Sequence, residues 1–250
     1  MPSVRRVQLL VTCLVDRLFP ETGMAVVRIL EKLGVEVTCP DGQTCCGQPA
    51  FNAGSRADAR AMARHTIDVF AASPDPVVIP SGSCGDMVIH QYAALLVDEP
   101  AYAERARELA SRTYELTQFL VDVLGVRDVG ARLPGQTVTY HAACHGLRGL
   151  GLRDQPKALL GAIDGATIVD LPEEEVCCGF GGLFAVKMPE ISGAMLRRKL
   201  DCIERCGAPT VAVTDVSCGM HMAGGLRRRG SPVVVRHLAD LLDPGEPEDA

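Results

Sequence analysis

Cysteine is the residue type in this chain whose number and spacing point most directly to chemistry: 11 of the 250 residues are cysteines. Two pairs are adjacent, and each pair is followed by a glycine. Aligning the pairs superposes two further single cysteines. Four positions therefore recur at a nearly constant spacing, Cys13, Cys45, Cys46 and Cys84 in the first half and Cys144, Cys177, Cys178 and Cys218 in the second. The spacing indicates an internal duplication.

Thiolates in this pattern are typical ligands of a metal centre. Disulfide scaffolds are usually small and secreted, whereas this chain is long and has an odd number of cysteines. Structural zinc sites usually draw on two close C-x₂₋₄-C pairs, and the sequence has no C-x-x-C. Adjacent cysteines can reach two irons of one cluster, and the glycines beside them let backbone N–H groups approach the sulfurs. The pattern favours an iron–sulfur cluster over zinc, which remains the alternative.

The elements that position these cysteines repeat as well. Hydrophobic periodicity predicts strands at 7–12, 35–38, 77–80, 137–140, 167–170, 210–213 and 233–235. Helices are predicted at 20–33, behind Ser55, up to residue 96, over 101–124 and from residue 189. Alternating strands and helices indicate an α/β fold with parallel sheets. Since the single cysteines follow the carboxyl ends of strands, where ligands bind in such sheets, we expect one thiolate-lined site in each half.

Both halves resemble the cysteine-rich CCG domain found in heterodisulfide reductase and in the iron–sulfur component of glycolate oxidase. The second half, with CCGFGGLFAVKMPEISGAM at 177–195, YHAACHGLRGLG at 140–151 and VSCGMHMAGGLRRRG at 216–230, is similar to the lactate utilization protein A family (LutA, also YkgE). The resemblance covers nearly the whole chain. It implies two tandem Rossmann-like CCG domains related by duplication, which we place at 1–128 and 135–250.

The resemblance also implies a function. The chain would be a cytoplasmic iron–sulfur electron-transfer subunit of a system that oxidises L-lactate to pyruvate with LutB- and LutC-like partners. It would therefore be an oxidoreductase component that does not act alone. The implied cofactor is a [4Fe–4S] cluster, one or two per chain, with the eight repeated cysteines as ligands.

One departure from the heterodisulfide reductase pattern bears on this function. That pattern ends in C-x-x-C, but here the last position is Met87 in the first half and His221 in the second. Four cysteines per half suffice for an ordinary [4Fe–4S] cluster. A cluster-based thiol–disulfide reductase, which would need the fifth ligand, is therefore the alternative function.

Four further residues are candidates for a role beside a cluster. His221 is either a ligand or a local histidine, and His141 and His145 flank Cys144, where they could donate to a cluster sulfur. Lys187 would place a cation near Cys178. Cys202 and Cys206 are expected to pack as small apolar side chains. Cys39 is expected to pack in the core or at the end of its strand, with a spare ligand of the first site as the alternative.

Charge and hydropathy exclude other classes of function. The net charge of −6 lacks the electrostatic signature of a nucleic-acid binder. No apolar stretch approaches the ~18 residues of a membrane span, so no membrane insertion is expected. The glycines at 179–182 do not match the G-x-G-x-x-G spacing of a dinucleotide site, and we expect them to wrap the cluster instead.

Overall fold

Two parallel four-stranded sheets, one in each half of the chain, form the framework of the protein. They are seen in a computed structural model that describes residues 4–243. The first sheet contains β1 (Arg6–Leu9), β2 (Glu36–Thr38), β3 (Val77–Ile79) and β4 (Thr113–Glu115) in the order β2-β1-β3-β4. The second contains β5 (Thr137–His141), β6 (Thr167–Val169), β7 (Thr210–Val213) and β8 (Val234–His237) in the order β6-β5-β7-β8. The predicted α/β class with duplicated parallel sheets is confirmed.

Helices connect the parallel strands in both halves. In the first half these are α1 (Cys13–Leu18), α2 (Pro20–Lys32), α3 (Gln48–Asn52), α4 (Arg56–Phe70), α5 (Gly82–Asp86), α6 (Tyr92–Leu95), α7 (Pro100–Ser111) and α8 (Leu116–Gln118). In the second half they are α9 (Gln155–Gly161), α10 (Leu183–Lys187), α11 (Pro189–Cys206), α12 (Val216–Arg228) and α13 (Leu238–Leu242). Short π-helical turns lie at Met87–Gln91, Phe119–Val123 and His145–Gly149.

The helix predicted over 101–124 is present but is interrupted by a strand that was not predicted. α7 ends at Ser111, and the chain then forms β4, whose Thr113 pairs in parallel with Val77 of β3. Arg112 stabilises the point where the chain leaves α7 and enters β4, since its guanidinium donates to the carbonyl oxygen of Phe70 at 2.8 Å. Thr113 and Tyr114 are residue types enriched in strands, and pairing with β3 at the edge of the sheet stabilises the strand conformation of this short segment.

The two halves share a hydrophobic core. One cluster of buried residues contains Val7 and Leu30 from the first half together with Val138 and Leu238 from the second. The helices that follow the last strands pack reciprocally, α13 against α2 and α8 against α9. The predicted domain boundaries, 1–128 and 135–250, stay a prediction, and residues 1–3 and 244–250 lie outside the described part of the chain.

Within residues 4–243, no helix combines the length and the apolar composition that crossing a membrane requires.

Candidate metal centre

All eight repeated cysteines line one cavity of about 210 Å³ between the two halves. The sequence predicts one site in each half, whereas the structure brings both cysteine sets to the same cavity. The physical reason is the packing of the two halves. Ser81, before α5, donates to the carboxylate of Asp215, before α12, at 3.1 Å. The strand ends that carry the cysteines therefore face each other.

The cysteines reach the cavity from equivalent positions in the two halves. Cys13 is the first residue of α1, and Cys144 immediately precedes the π-helical turn at His145–Gly149. Cys84 lies in α5 and Cys218 in α12, each within the first turn of a helix that follows a central strand. The two double cysteines lie in the loops after β2 and β6. Each set is thus assembled from three separate segments of its half.

Sulfur atoms lie close together within each set. The Sγ atoms of Cys46 and Cys84 are 3.4 Å apart, and those of Cys144 and Cys177 are 4.0 Å apart. A hydrogen bond from the thiol of Cys144 lowers the pKa of Cys177 and raises that of Cys144. The same pattern holds in the first half, where hydrogen bonds lower the pKa of Cys45. Several thiolates this close repel one another unless a cation lies between them, so the donor set fits a metal centre.

The glycine after each double cysteine allows the chain to fold tightly around the sulfurs. Gly47 has φ +84° and Gly179 has φ +89°, a left-handed conformation that side chains rarely adopt. A Cβ on Gly47 would lie 3.1 Å from Cβ of Met62, and one on Gly179 would lie 2.8 Å from Cβ of Met195. The N–H of Gly179 donates to Sγ of Cys177 at 3.3 Å. Backbone N–H groups near ligand sulfurs are a feature of iron–sulfur sites.

His141 is the histidine whose ring nitrogen lies among the sulfur atoms of the second cysteine set. One of its ring nitrogens and the Sγ atoms of Cys178 and Cys218 all lie within 4.8 Å of one another. The side chain is fully buried, and neither ring nitrogen has a hydrogen-bond partner among residues 4–243. Burial lowers the pKa of His141 to about 3, so the imidazole is neutral at pH 7. A buried imidazole with both nitrogens unpaired leaves a donor and an acceptor for a bound group.

The other three candidates lie in different surroundings. His145 lines the cavity, and its Nδ1 lies 2.7 Å from the carboxylate of Asp86 in the opposite half. His221 is half-buried against the ring of Phe180 and is not part of the group formed by His141. Lys187 is exposed at the end of α10 and does not line the cavity.

The three cysteines outside the repeat do not line the cavity. Cys202 is buried in the core of the second half, and Cys206 packs against that core, as expected. Cys39 is exposed and accepts a hydrogen bond from Nε2 of Gln43 at 3.3 Å, so the prediction that it packs as an apolar side chain is wrong. Cys39 follows β2, which lies at the edge of the sheet, so the side chain is left open to solvent.

The polar residues that join the halves beside the cavity are not among the residues predicted from the sequence. Besides its contact with Ser81, Asp215 accepts a hydrogen bond from the backbone N–H of Ser83 at 2.9 Å. It also caps its own helix through the N–H of Ser217. They could have been found from the sequence. Ser81 and Asp215 each lie three residues before a repeated cysteine, Cys84 and Cys218, and both are residue types that favour helix N-caps.

The model of the family described as "Cysteine-rich domain" (CCG) matches the chain twice, at residues 7–89 and 138–223. Three curated relatives named lactate utilization protein A match nearly full length. The protein of an Exiguobacterium species is 48% identical over 98% of both chains. That of Halalkalibacterium halodurans is 45% identical over 96% of this chain and 98% of its own, and that of Bacillus subtilis is 45% identical over 95% and 99%.

Among solved structures, a hypothetical protein from Helicobacter pylori is similar with a TM-score of 0.65 at 10% sequence identity. The alignment covers 98% of this chain and 50% of that protein, so the chain spans half the length of the solved relative. At this identity the similarity concerns the fold alone.

Proposed function

Because the chain belongs to the lactate utilization protein A family and carries two cysteine-rich CCG domains, we propose that it is the iron–sulfur electron-transfer subunit of an L-lactate-oxidising system. The observation that carries the proposal is the meeting of all eight repeated cysteines at one cavity. Eight thiols drawn from two equivalent sets match the ligand demand of two four-cysteine clusters.

In this proposal each set holds one [4Fe–4S] cluster, which supplies one-electron redox chemistry when bound. The ligands are Cys13, Cys45, Cys46 and Cys84 in the first half and Cys144, Cys177, Cys178 and Cys218 in the second. The protein's own contribution is to fix these sulfurs and to set their electrostatic surroundings. Gly47 and Gly179 allow the tight loops, and Asp215 holds the two helix starts together.

The proposal includes partners. Oxidation of L-lactate to pyruvate releases two electrons and two protons. The sequence contains no recognisable site for a 2-hydroxy acid. We therefore assign lactate binding and the final electron acceptor to LutB- and LutC-like proteins in the cytoplasm. The present chain would pass electrons between them.

The shared cavity favours a second candidate, a cluster-based thiol–disulfide reductase. Both cysteine sets open on the same space, so a small disulfide placed there would face both. Met87 and His221 stand at the positions of the fifth cysteines, which weighs against this chemistry. Reduction of a mixed disulfide by the pure, cluster-loaded protein would favour the second candidate over the first.

The test of the proposed function follows the visible absorption of the cluster-loaded chain under anaerobic conditions. L-lactate should bleach this absorption only when the LutB- and LutC-like partners are present, and D-lactate serves as the control. The variant that combines Cys46→Ser and Cys178→Ser should show no response. If the isolated chain oxidises L-lactate with a dye acceptor, the role as an electron carrier is wrong.

A further inference from the structure

The two cysteine sets have different surroundings, although the halves share a fold. The glycine after each double cysteine abuts a methionine, Met62 on α4 and Met195 on α11, and these contacts fix the register between the two helices. Lys199 lies four residues after Met195, and Thr66 lies four residues after Met62, so the two residues occupy equivalent positions in the two halves. Both side chains are buried, at 1% and 5% exposure. The second half therefore carries a buried cationic residue where the first half carries a neutral one.

Lys199 is tied to the segment that leads into the second double cysteine. Its Nζ donates to the backbone carbonyl of Glu173 at 2.5 Å and to that of Glu174 at 3.3 Å. The carboxylate of Glu173 pairs with Arg198 rather than with Lys199. Burial lowers the pKa of Lys199, and the charges of Cys202 and Cys178 act against this effect. Lys199 thus places a buried ammonium group beside the segment that leads into Cys177 and Cys178, with its hydrogen bonds given to backbone carbonyls and not to a carboxylate.

The first half holds its corresponding loop with the neutral side chain of Gln43 and with the exposed His65 of α4, whose Nε2 lies 2.7 Å from the carbonyl oxygen of Gly42. The Gln43 amide donates to the carbonyl of Leu9 at 2.8 Å and to that of Pro40 at 3.1 Å, and its oxygen accepts from the N–H of Val11 at 3.1 Å. These hydrogen bonds stabilise the loop after β2, as the hydrogen bonds of Lys199 stabilise the loop after β6. They add no net charge beside the first cysteine set.

The residues at the ends of the central strands also make the second half the more polar of the two. His141 ends β5 three residues before Cys144, and the equivalent position three residues before Cys13 is Leu10, a buried apolar residue packed in the same cluster as Cys46. The second set therefore faces an imidazole whose ring nitrogens are unpaired among the described residues, and the first set faces a hydrocarbon side chain.

Two acidic residues near the cavity do not offset this difference. Asp86 lies in the first half and contacts His145 of the second, and Asp215 lies in the second half and contacts Ser83 of the first. Both carboxylates lie at the junction and are hydrogen-bonded across it. Among residues 4–243, Lys199 is the one buried lysine or arginine, whereas the first half buries the carboxyl group of Glu115.

We propose that Lys199, supported by His141, makes the centre held by Cys144, Cys177, Cys178 and Cys218 the more readily reduced of the two. This inference rests on the proposed function, because it concerns the clusters that the function requires. Reduction adds negative charge, which a nearby buried cation or an N–H donor to sulfur stabilises, so the reduction potential rises. An electron that enters the protein would therefore reside in the second half. Lys199 acts here as a positioning residue and not as a ligand.

The experiment is a redox titration of the loaded protein followed by visible absorption and electron paramagnetic resonance. Cys46→Ser disrupts the first set and Cys178→Ser the second, so each signal can be assigned to one half. Lys199→Gln removes the charge and keeps an N–H donor for the carbonyls, and Lys187→Met removes an exposed lysine of the same half as a matched control. Lys199→Gln should change the reduced-to-oxidised ratio of the second-half signal by about tenfold, which corresponds to about 59 mV downward for one electron.

Each outcome decides the inference. A second-half potential above that of the first half, lowered by Lys199→Gln and unchanged by Lys187→Met, supports it. Equal potentials, or a higher potential in the first half, overturn it and leave the proposed function standing. If Lys199→Gln fails to fold, the comparison of Cys46→Ser with Cys178→Ser still orders the two potentials. A protein without iron and sulfide overturns both the inference and the proposed function.

Discussion

At the scale of single residues, the repeated cysteines could be recognised as candidate metal ligands because their spacing recurs in the two halves. The selection among the histidines could not, because it depends on three-dimensional placement. The motif position of a fifth ligand points to His221, yet His141 is the histidine that lies with Cys178 and Cys218. Lys199 had no sequence signal at all, since a lysine in an amphipathic helix is ordinarily exposed.

Glu115 provides a prediction about pH at this scale. It is fully buried, its Oε2 accepts from the N–H of Thr117 at 2.7 Å, and its Oε1 has no partner among residues 4–243. Burial raises the pKa of Glu115 from 4.5 to about 7. Because the folded-state pKa is raised, the stability that the neutral group contributes is present below pH 4.5 and is lost as the pH rises through about 7.

Glu115→Gln removes this ionisation. The variant should unfold at a higher temperature than the native protein at pH 8, with a gain of up to about 3 kcal/mol, and at nearly the same temperature at pH 5. The exposed Glu31→Gln is the control and should show no such pH dependence. Thermal unfolding between pH 5 and pH 8 is the measurement, and a constant difference across this range would contradict the buried ionisation.

At the scale of elements, seven of the eight strands were predictable and β4 was not. Buried apolar runs such as residues 77–80 and 210–213 are continuous and end at turn residues, which is the pattern of a central parallel strand. β4 is three residues long and lies between two helices, so its local sequence carries too little information. Its pairing with β3 decides its conformation.

The junction between α5 and the π-helical turn at His145–Gly149 gives a prediction at this scale. A Cβ on Gly82 would lie 2.8 Å from Cα and N of Gly146, and backbone atoms cannot move aside cheaply. We expect Gly82→Ala to destabilise the protein by about 1–3 kcal/mol. Gly224→Ala is the matched control, because a Cβ at this helical glycine meets nothing within 4 Å, and the variant should be neutral or slightly stabilising. Equal melting temperatures of the two variants would show that the halves are not in close backbone contact there.

At the scale of the whole molecule, the duplication was visible in the sequence and the way its halves meet was not. Spacing within each half predicts two separate sites, because it carries no information on how one sheet faces the other. The structure places both carboxyl edges on one cavity through reciprocal helix packing, reinforced by an ion pair between Arg28 on α2 and Asp243 after α13. The single cavity, more than either set alone, is what suggests electron transfer between two centres.

The central claim, that this cavity holds iron–sulfur clusters, is tested most directly by iron and acid-labile sulfide analysis of the anaerobically purified chain. We predict about eight iron and eight sulfide per chain, falling to about four of each in Cys46→Ser and in Cys178→Ser. Cys202→Ser, a change outside the cavity, should leave both contents unaltered. A colourless protein that stays without sulfide after reconstitution and instead binds zinc in stoichiometric amount would contradict the claim.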